Sequence, residues 1–267
     1  MVRKLMRHEY KAFMKPLIPM YIIILAAAAI LRVTQLFESS TRAYKVVYIS
    51  LIVALVLSIL AVLVITVILG VVRFYSGLFS QEGYLSGMLP VTPAQQLTAR
   101  IRVTMGATLI SILVSIVSAL IALIGDPISE GYKAFIYLWR EWTEAIGFNV
   151  WLFALELIFA ALLLILEKYT LLFACVSLGQ RSHKRRILHA LLAYFCFWLL
   201  RQVIGTVIII FSDSFAKLWI IRQIIENGVI TDSIHALFSL ISLIYIGVTM
   251  VLGFISHRTL TDHLNLE

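Results

Sequence analysis

Charge is scarce in this sequence: Asp, Glu, Lys and Arg make up 13% of its 267 residues, against 61% hydrophobic residues. A soluble domain cannot cover its surface with so little polarity, so a water-soluble globule is excluded and an integral membrane protein is implied. The alternation of apolar and polar residues that marks a barrel strand is also missing. Spanning elements must therefore be helices, each needing ~20 apolar residues to cross ~30 Å of hydrocarbon. Cysteine is limited to Cys175 and Cys196, both inside apolar runs, where a thiol acts as a small hydrophobe without metal-ligand spacing. No HExxH occurs, and His8, His183, His189, His235, His257 and His263 lie mainly at ends or in loops, which argues against an intramembrane metalloenzyme. No G-x-x-x-x-G-K-[ST] occurs either, so any ATP chemistry must come from another chain.

What the chain does have is a set of six apolar segments, at roughly 17–37, 47–72, 103–124, 148–178, 187–211 and 234–255. The fold class expected is all-α, a single polytopic domain over residues 1–267. The formal charge of +8 does not point to nucleic acid here, because the cations sort by side of the membrane. With the N-terminus in the cytoplasm, the inside carries Arg3, Lys4, Arg7, Lys11, Lys15, Arg73, Arg100, Arg102, Arg181, Lys184, Arg185, Arg186 and Arg258. The outside then holds most of the acids, among them Asp126, Glu130, Glu141, Glu144, Asp213 and Glu226. This imbalance predicts a multi-pass protein of the cell membrane with both termini cytoplasmic.

Residues 1–16 place Leu5, Met6, Tyr10 and Phe13 on one helical stripe and Arg3, Lys4, Arg7 and Lys11 on the other. That pattern predicts an interfacial helix along anionic lipid, retained rather than cleaved, before the chain turns inward at Pro16 and Pro19. A second structured piece is expected at 212–233, as an outer hairpin or interfacial helix. A third, EGYKAFIYLWREWTEAIGF, repeats Tyr132, Phe135, Ile136, Trp139 and Trp142 at helical spacing, which suits an interface.

Four charged side chains interrupt the apolar runs: Glu156, Glu167, Lys168 and Arg201. Each is costly in hydrocarbon unless paired or wet. If the fourth span begins early, Glu156 and Arg201 lie at nearly the same depth and form the expected bridge, with Glu167 as the alternative acid. If the span begins late, Glu167 itself approaches mid-membrane. Ser50, Ser58 and Thr66, spaced by eight on the second span, face either a central route or a packed neighbour.

The loop RFYSGLFSQEGYLSGMLPVTPAQQLTARIR, residues 73–102, is the long polar exception. Within it Thr92, Pro93 and Gln95 supply a helix cap, a first-turn proline and the partner of a capping box. Upstream, RFYSGLFSQEG predicts a short helical continuation of the second span ending at Gly83. The apolar tip formed by Tyr84, Leu85, Met88 and Leu89 calls for a protein cover.

The spacing of Glu82-Gly83, Leu85, Leu89 and Thr92-Pro93 resembles the cytoplasmic loop of type-2 ATP-binding-cassette exporter permeases, where an acid-Gly-Thr-Leu stretch precedes a Leu-Leu-x-Thr-Pro element. Tyr84 stands where that pattern has Thr, Ser86 and Gly87 replace a second acid, and the run to Thr92 is one residue longer. The resemblance implies a coupling helix between spans 2 and 3 that docks a separate ATPase through Phe79, Glu82, Gly83, Tyr84, Leu85, Met88 and Leu89. It also implies ATP and Mg bound by that partner rather than by this chain, and a second permease chain, identical or related. The function expected is outward movement of an amphipathic, lipid-like or peptide substrate. The alternatives from other classes are an ion-coupled secondary transporter and a non-transporting scaffold or immunity protein.

Overall fold

A computed structural model of the chain describes residues 2–37, 41–79, 92–123, 133, 136–141, 150–181, 185–216 and 230–263. Among them no strand occurs, and six long helices are apolar enough to cross a membrane. They are α1 (Val2–Leu36), α2 (Arg42–Phe79), α3 (Pro93–Leu123), α4 (Val150–Gln180), α5 (Arg186–Ala216) and α6 (Ile230–His263). Large apolar side chains stand exposed along these helices, for example Ile22 at 62%, Leu113 at 60% and Phe254 at 63%. Surfaces of this kind suit hydrocarbon and not water.

The chain divides into two compact units, Met1–Tyr137 and Leu138–Glu267. In the first, α1 packs against both α2 and α3, and α2 against α3. The buried residues of α1 are Phe13, Leu17, Tyr21, Ile24, Ala28 and Leu31, a single stripe at three- and four-residue spacing. Facing it on α3 is a row of small residues, Ala107, Ser111, Ser115, Ser118 and Ala122, which lets the backbones approach closely. Their hydroxyls do not stay unpaired in the apolar interior: Ser115 donates to the Ser111 carbonyl at 2.8 Å and Ser118 to that of Ser115 at 2.8 Å. One cross-helix network joins all three helices, since Ser111 Oγ lies 2.7 Å from the Tyr21 hydroxyl and 2.8 Å from Thr66 Oγ1. Thr66, fully buried, is thus a packing residue, while Ser50 and Ser58 turn back on the carbonyls of Val47 and Leu55.

The expected break at Pro16 and Pro19 does not occur; α1 runs unbroken through both. Proline at 16 removes the N–H that would serve the Ala12 carbonyl one turn back. Arg73 of α2 supplies a substitute, its Nη2 donating to Ala12 O at 3.0 Å. The core stripe meanwhile passes straight across the prolines, from Phe13 to Leu17 to Tyr21, so burial favours one continuous rod. Residues 2–16 are helical and continuous with the span rather than a separate element.

In the second unit α4 packs against both α5 and α6. Leu171, Ala174, Cys175 and Leu252 form its core with Ala193 and Phe197. At the start of α4, Phe153 meets Phe238 of α6 edge to face at 5.4 Å. At its end, Gly179 lies so close to α5 that an added Cβ would sit 2.7 Å from both the Arg186 carbonyl and the Ala190 methyl. Only glycine permits that approach. Cys175 is buried, Cys196 exposed, and neither is bridged. Of the interfacial pieces expected from the sequence, 136–141 is helical. Residues 212–216 extend α5 and 230–233 open α6, while the stretch between them lies outside the described residues.

Candidate functional site

The two ends of the loop singled out from the sequence are described, its tip is not: Glu82, Gly83, Tyr84, Leu85, Met88 and Leu89 lie outside the described residues. On the near side α2 continues to Phe79, whose ring packs on Phe74 at 6.1 Å and Tyr75 at 6.3 Å. On the far side the capping box forms as the sequence dictates. The Thr92 N–H donates to Gln95 Oε1 at 3.3 Å, the Gln95 N–H donates to Thr92 Oγ1 at 3.4 Å, and Pro93 opens the helix.

Between these ends sits Arg100, a residue sorted by sequence among the cytoplasmic cations but found almost wholly buried, with 4% exposure. Its guanidinium donates to three carbonyls of α2: Arg73 O at 3.2 Å, Phe74 O at 3.2 Å and Gly77 O at 2.7 Å. The shortest bond goes to Gly77, which lies among the last four residues of α2, whose carbonyls have no donor within the helix. A cation there also opposes the negative end of the helix dipole. Glu9 of α1 supplies the counter-charge at 3.4 Å. Gly77 is what makes room: any Cβ at that position would collide with both terminal nitrogens of Arg100. With Arg73 reaching on to Ala12, the end of α2 is fastened to α1 and α3 at one level.

Two features of the sequence carry this clamp. Arg100 falls on the stripe Arg100, Thr104, Ala107 and Ser111, so it belongs to the buried face of α3. Gly77 falls on the buried row of α2 with Thr66, Gly70 and Phe74. A cation and a glycine on facing buried rows signal a guanidinium laid on backbone.

The opposite end of the first unit is fastened by an amide. Gln35 donates to the Ala122 carbonyl at 2.9 Å, near the end of α3, and accepts from Arg32 at 3.0 Å. Arg32, near the end of α1, thereby has a local partner.

The intramembrane charges belong to the second unit. Arg201 of α5 pairs with Glu167 of α4 at 3.1 Å, and its guanidinium lies 5.9 Å from the centre of the Tyr245 ring of α6. Lys168 stands 3.7 Å from the other carboxylate oxygen. Glu167 is 1% exposed, whereas Arg201 and Lys168 are 39% and 53% exposed in their side chains. The levels agree with the packing: counting ~1.5 Å per residue from the Gly179 and Ala190 contact, Glu167 and Arg201 both lie roughly 17 Å away. Glu156 is half-buried and sits roughly 16 Å nearer the start of α4, so the acid at the level of Arg201 is Glu167. Among the described residues no group of His, Cys, Asp and Glu is arranged to hold a metal.

Comparison of the chain with protein-family models gives no match, and neither the curated proteins nor the solved structures give one.

Proposed function

We propose that this chain is the membrane-spanning subunit of an ATP-binding-cassette exporter, moved by a separate ATPase that grips the loop between α2 and α3. The observation that carries the reading is the Arg100 clamp. A lever that receives force at a loop must be stiff where the loop joins it, or the loop bends and the spans stay still. Here both entrances are rigid: Arg100 ties the last turns of α2 to α1 and α3, and the capping box starts α3 directly after the loop. The loop sequence adds the pattern Glu82-Gly83, Leu85, Leu89 and Thr92-Pro93, and the chain has no phosphate-binding loop of its own.

In this reading Phe79, Glu82, Gly83, Tyr84, Leu85, Met88 and Leu89 form the docking surface. ATP and Mg belong to the partner, and a second permease chain completes the route. The substrate class is amphipathic, lipid-like or peptide. The test is purification of the tagged chain from its native membrane in mild detergent, followed by identification of what accompanies it. A stoichiometric subunit bearing a phosphate-binding loop is expected. Full transport by the chain with no ATPase attached would overturn the reading.

The buried Glu167, paired with Arg201 inside a span, favours one rival, ion coupling, because ionisable groups held within membrane helices mark ion pathways. That rival requires transport to collapse with the proton gradient, and in Glu167→Gln, while ATP is irrelevant.

A further inference from the structure

Beside the Arg100 clamp, on the outer face of the first unit, an open groove of about 740 Å³ lies between the first turns of α1 and the start of α3. Four cations line it, Arg3, Lys4 and Arg7 from α1 and Arg102 from α3, and no carboxylate among the described residues does. Glu9, the acid nearest in sequence, faces Arg100 instead. Arg3 and Arg7 are one turn apart, a like-charge spacing that weakens a helix unless an anion lies between. The floor is apolar: Val103 is buried, and an added Cβ at Gly106 would meet nothing within 4 Å, so the groove is open down to the α3 backbone. From Arg102 and Gly106 the exposed face of α3 continues upward through Leu109 and Leu113, which are 40% and 60% exposed. A ring of positive charge thus opens onto a greasy stripe at the spacing of one helix face.

We propose that this groove binds one anionic phospholipid of the leaflet bordering the N-terminal end of α1, its phosphate held by Arg3, Lys4, Arg7 and Arg102 and an acyl chain laid over Gly106 toward Leu109 and Leu113. The chemistry fits each half of such a molecule. Guanidinium groups match phosphate oxygens two at a time, and cations at headgroup depth attract anionic lipid. The opening at Gly106 admits a methylene chain where any larger side chain would stand in its way. A soluble phosphate would use the cations and leave the apolar floor bare. The site does not depend on the exporter reading, since it needs only the membrane and these two helices.

The test is native mass spectrometry of the full chain released from nanodiscs of phosphatidylglycerol or of phosphatidylcholine. Retention of one phosphatidylglycerol, and no comparable retention of phosphatidylcholine, is expected for the wild type. Arg7→Gln with Arg102→Gln should weaken that retention roughly thirtyfold. Lys11→Gln with Lys15→Gln removes the same charge outside the groove and should leave it near the wild-type level. Gly106→Leu keeps every cation but fills the floor, and should also lose the lipid. Equal retention by the two double variants, or by Gly106→Leu and the wild type, would overturn the site. So would stabilisation of the wild type and Gly106→Leu alike by inorganic phosphate, which would assign the cations to a soluble anion. Any variant that unfolds is recognised by its elution profile, and Gly106→Leu then decides the matter without loss of charge.

Discussion

Arg100 and Arg201 are each held by one glutamate from another helix, yet the two halves of the chain use them differently. Arg100 is buried, bonded to three backbone carbonyls as well as to Glu9, and placed where a helix ends. Arg201 lies in the body of α5, leans over Tyr245, and leaves 39% of its side chain exposed beside a glutamate that is enclosed. In the first unit, then, the cation is the enclosed partner and the helix end is what it secures. In the second the anion is enclosed and the cation faces outward. The contrast separates a fixed joint from a charge pair able to exchange partners, because a buried guanidinium whose two terminal nitrogens are held by three carbonyls and a carboxylate has little room to move while a half-exposed one does.

The contrast can be broken by truncating each cation. Arg100→Leu leaves Glu9 and the Gly77 carbonyl uncompensated and should cost about 3–5 kcal/mol in the unfolding of the purified chain. Arg201→Leu strands Glu167, but Lys168 stands 3.7 Å from its other carboxylate oxygen, so a smaller loss of about 1.5–3 kcal/mol is expected. Equal losses, or the reverse order, would dissolve the distinction between the two halves.

A sharper probe pairs the two glycines. Gly179→Ala drives a methyl onto the backbone of α5, which cannot step aside, and should cost about 1–3 kcal/mol whatever else is changed. Gly77→Ala meets the tip of Arg100 first, so its penalty should fall sharply in the Arg100→Leu background. A double-mutant cycle measures this; independent, additive losses at Gly77 and Arg100 would contradict direct contact. The smallest effect belongs to the hydroxyl network. Thr66→Val removes one interhelical bond, worth about 0.6 kcal/mol, and should be barely visible in thermal unfolding.

Much of the architecture was legible because long apolar runs are a coarse signal that no single contact overrides. The six helices follow from the runs, and the start of α3 follows from Thr92, Pro93 and Gln95, whose capping is local chemistry. The course of α1 was not legible. Prolines at 16 and 19 read as a turn because the sequence cannot show that Arg73, far along the chain, provides the donor that Pro16 lacks. Arg100 was hidden for a similar reason: charge counting assigns every cation near a loop to the surface, and only its register with Thr104 and Ser111 places it inside. For Arg201 the sequence offered Glu156 and Glu167, and the choice turned on where α4 sits along its axis, which long-range packing at Gly179 decides.

The proposal stands most directly on one number, the rate of ATP hydrolysis by the complex of this chain with its ATPase, measured in proteoliposomes alongside export. Glu82→Ala and Tyr84→Ala should each leave the chain inserted and the ATPase folded while export per ATP consumed falls severalfold. Wild-type export per ATP in both variants would contradict the idea that force enters through this loop.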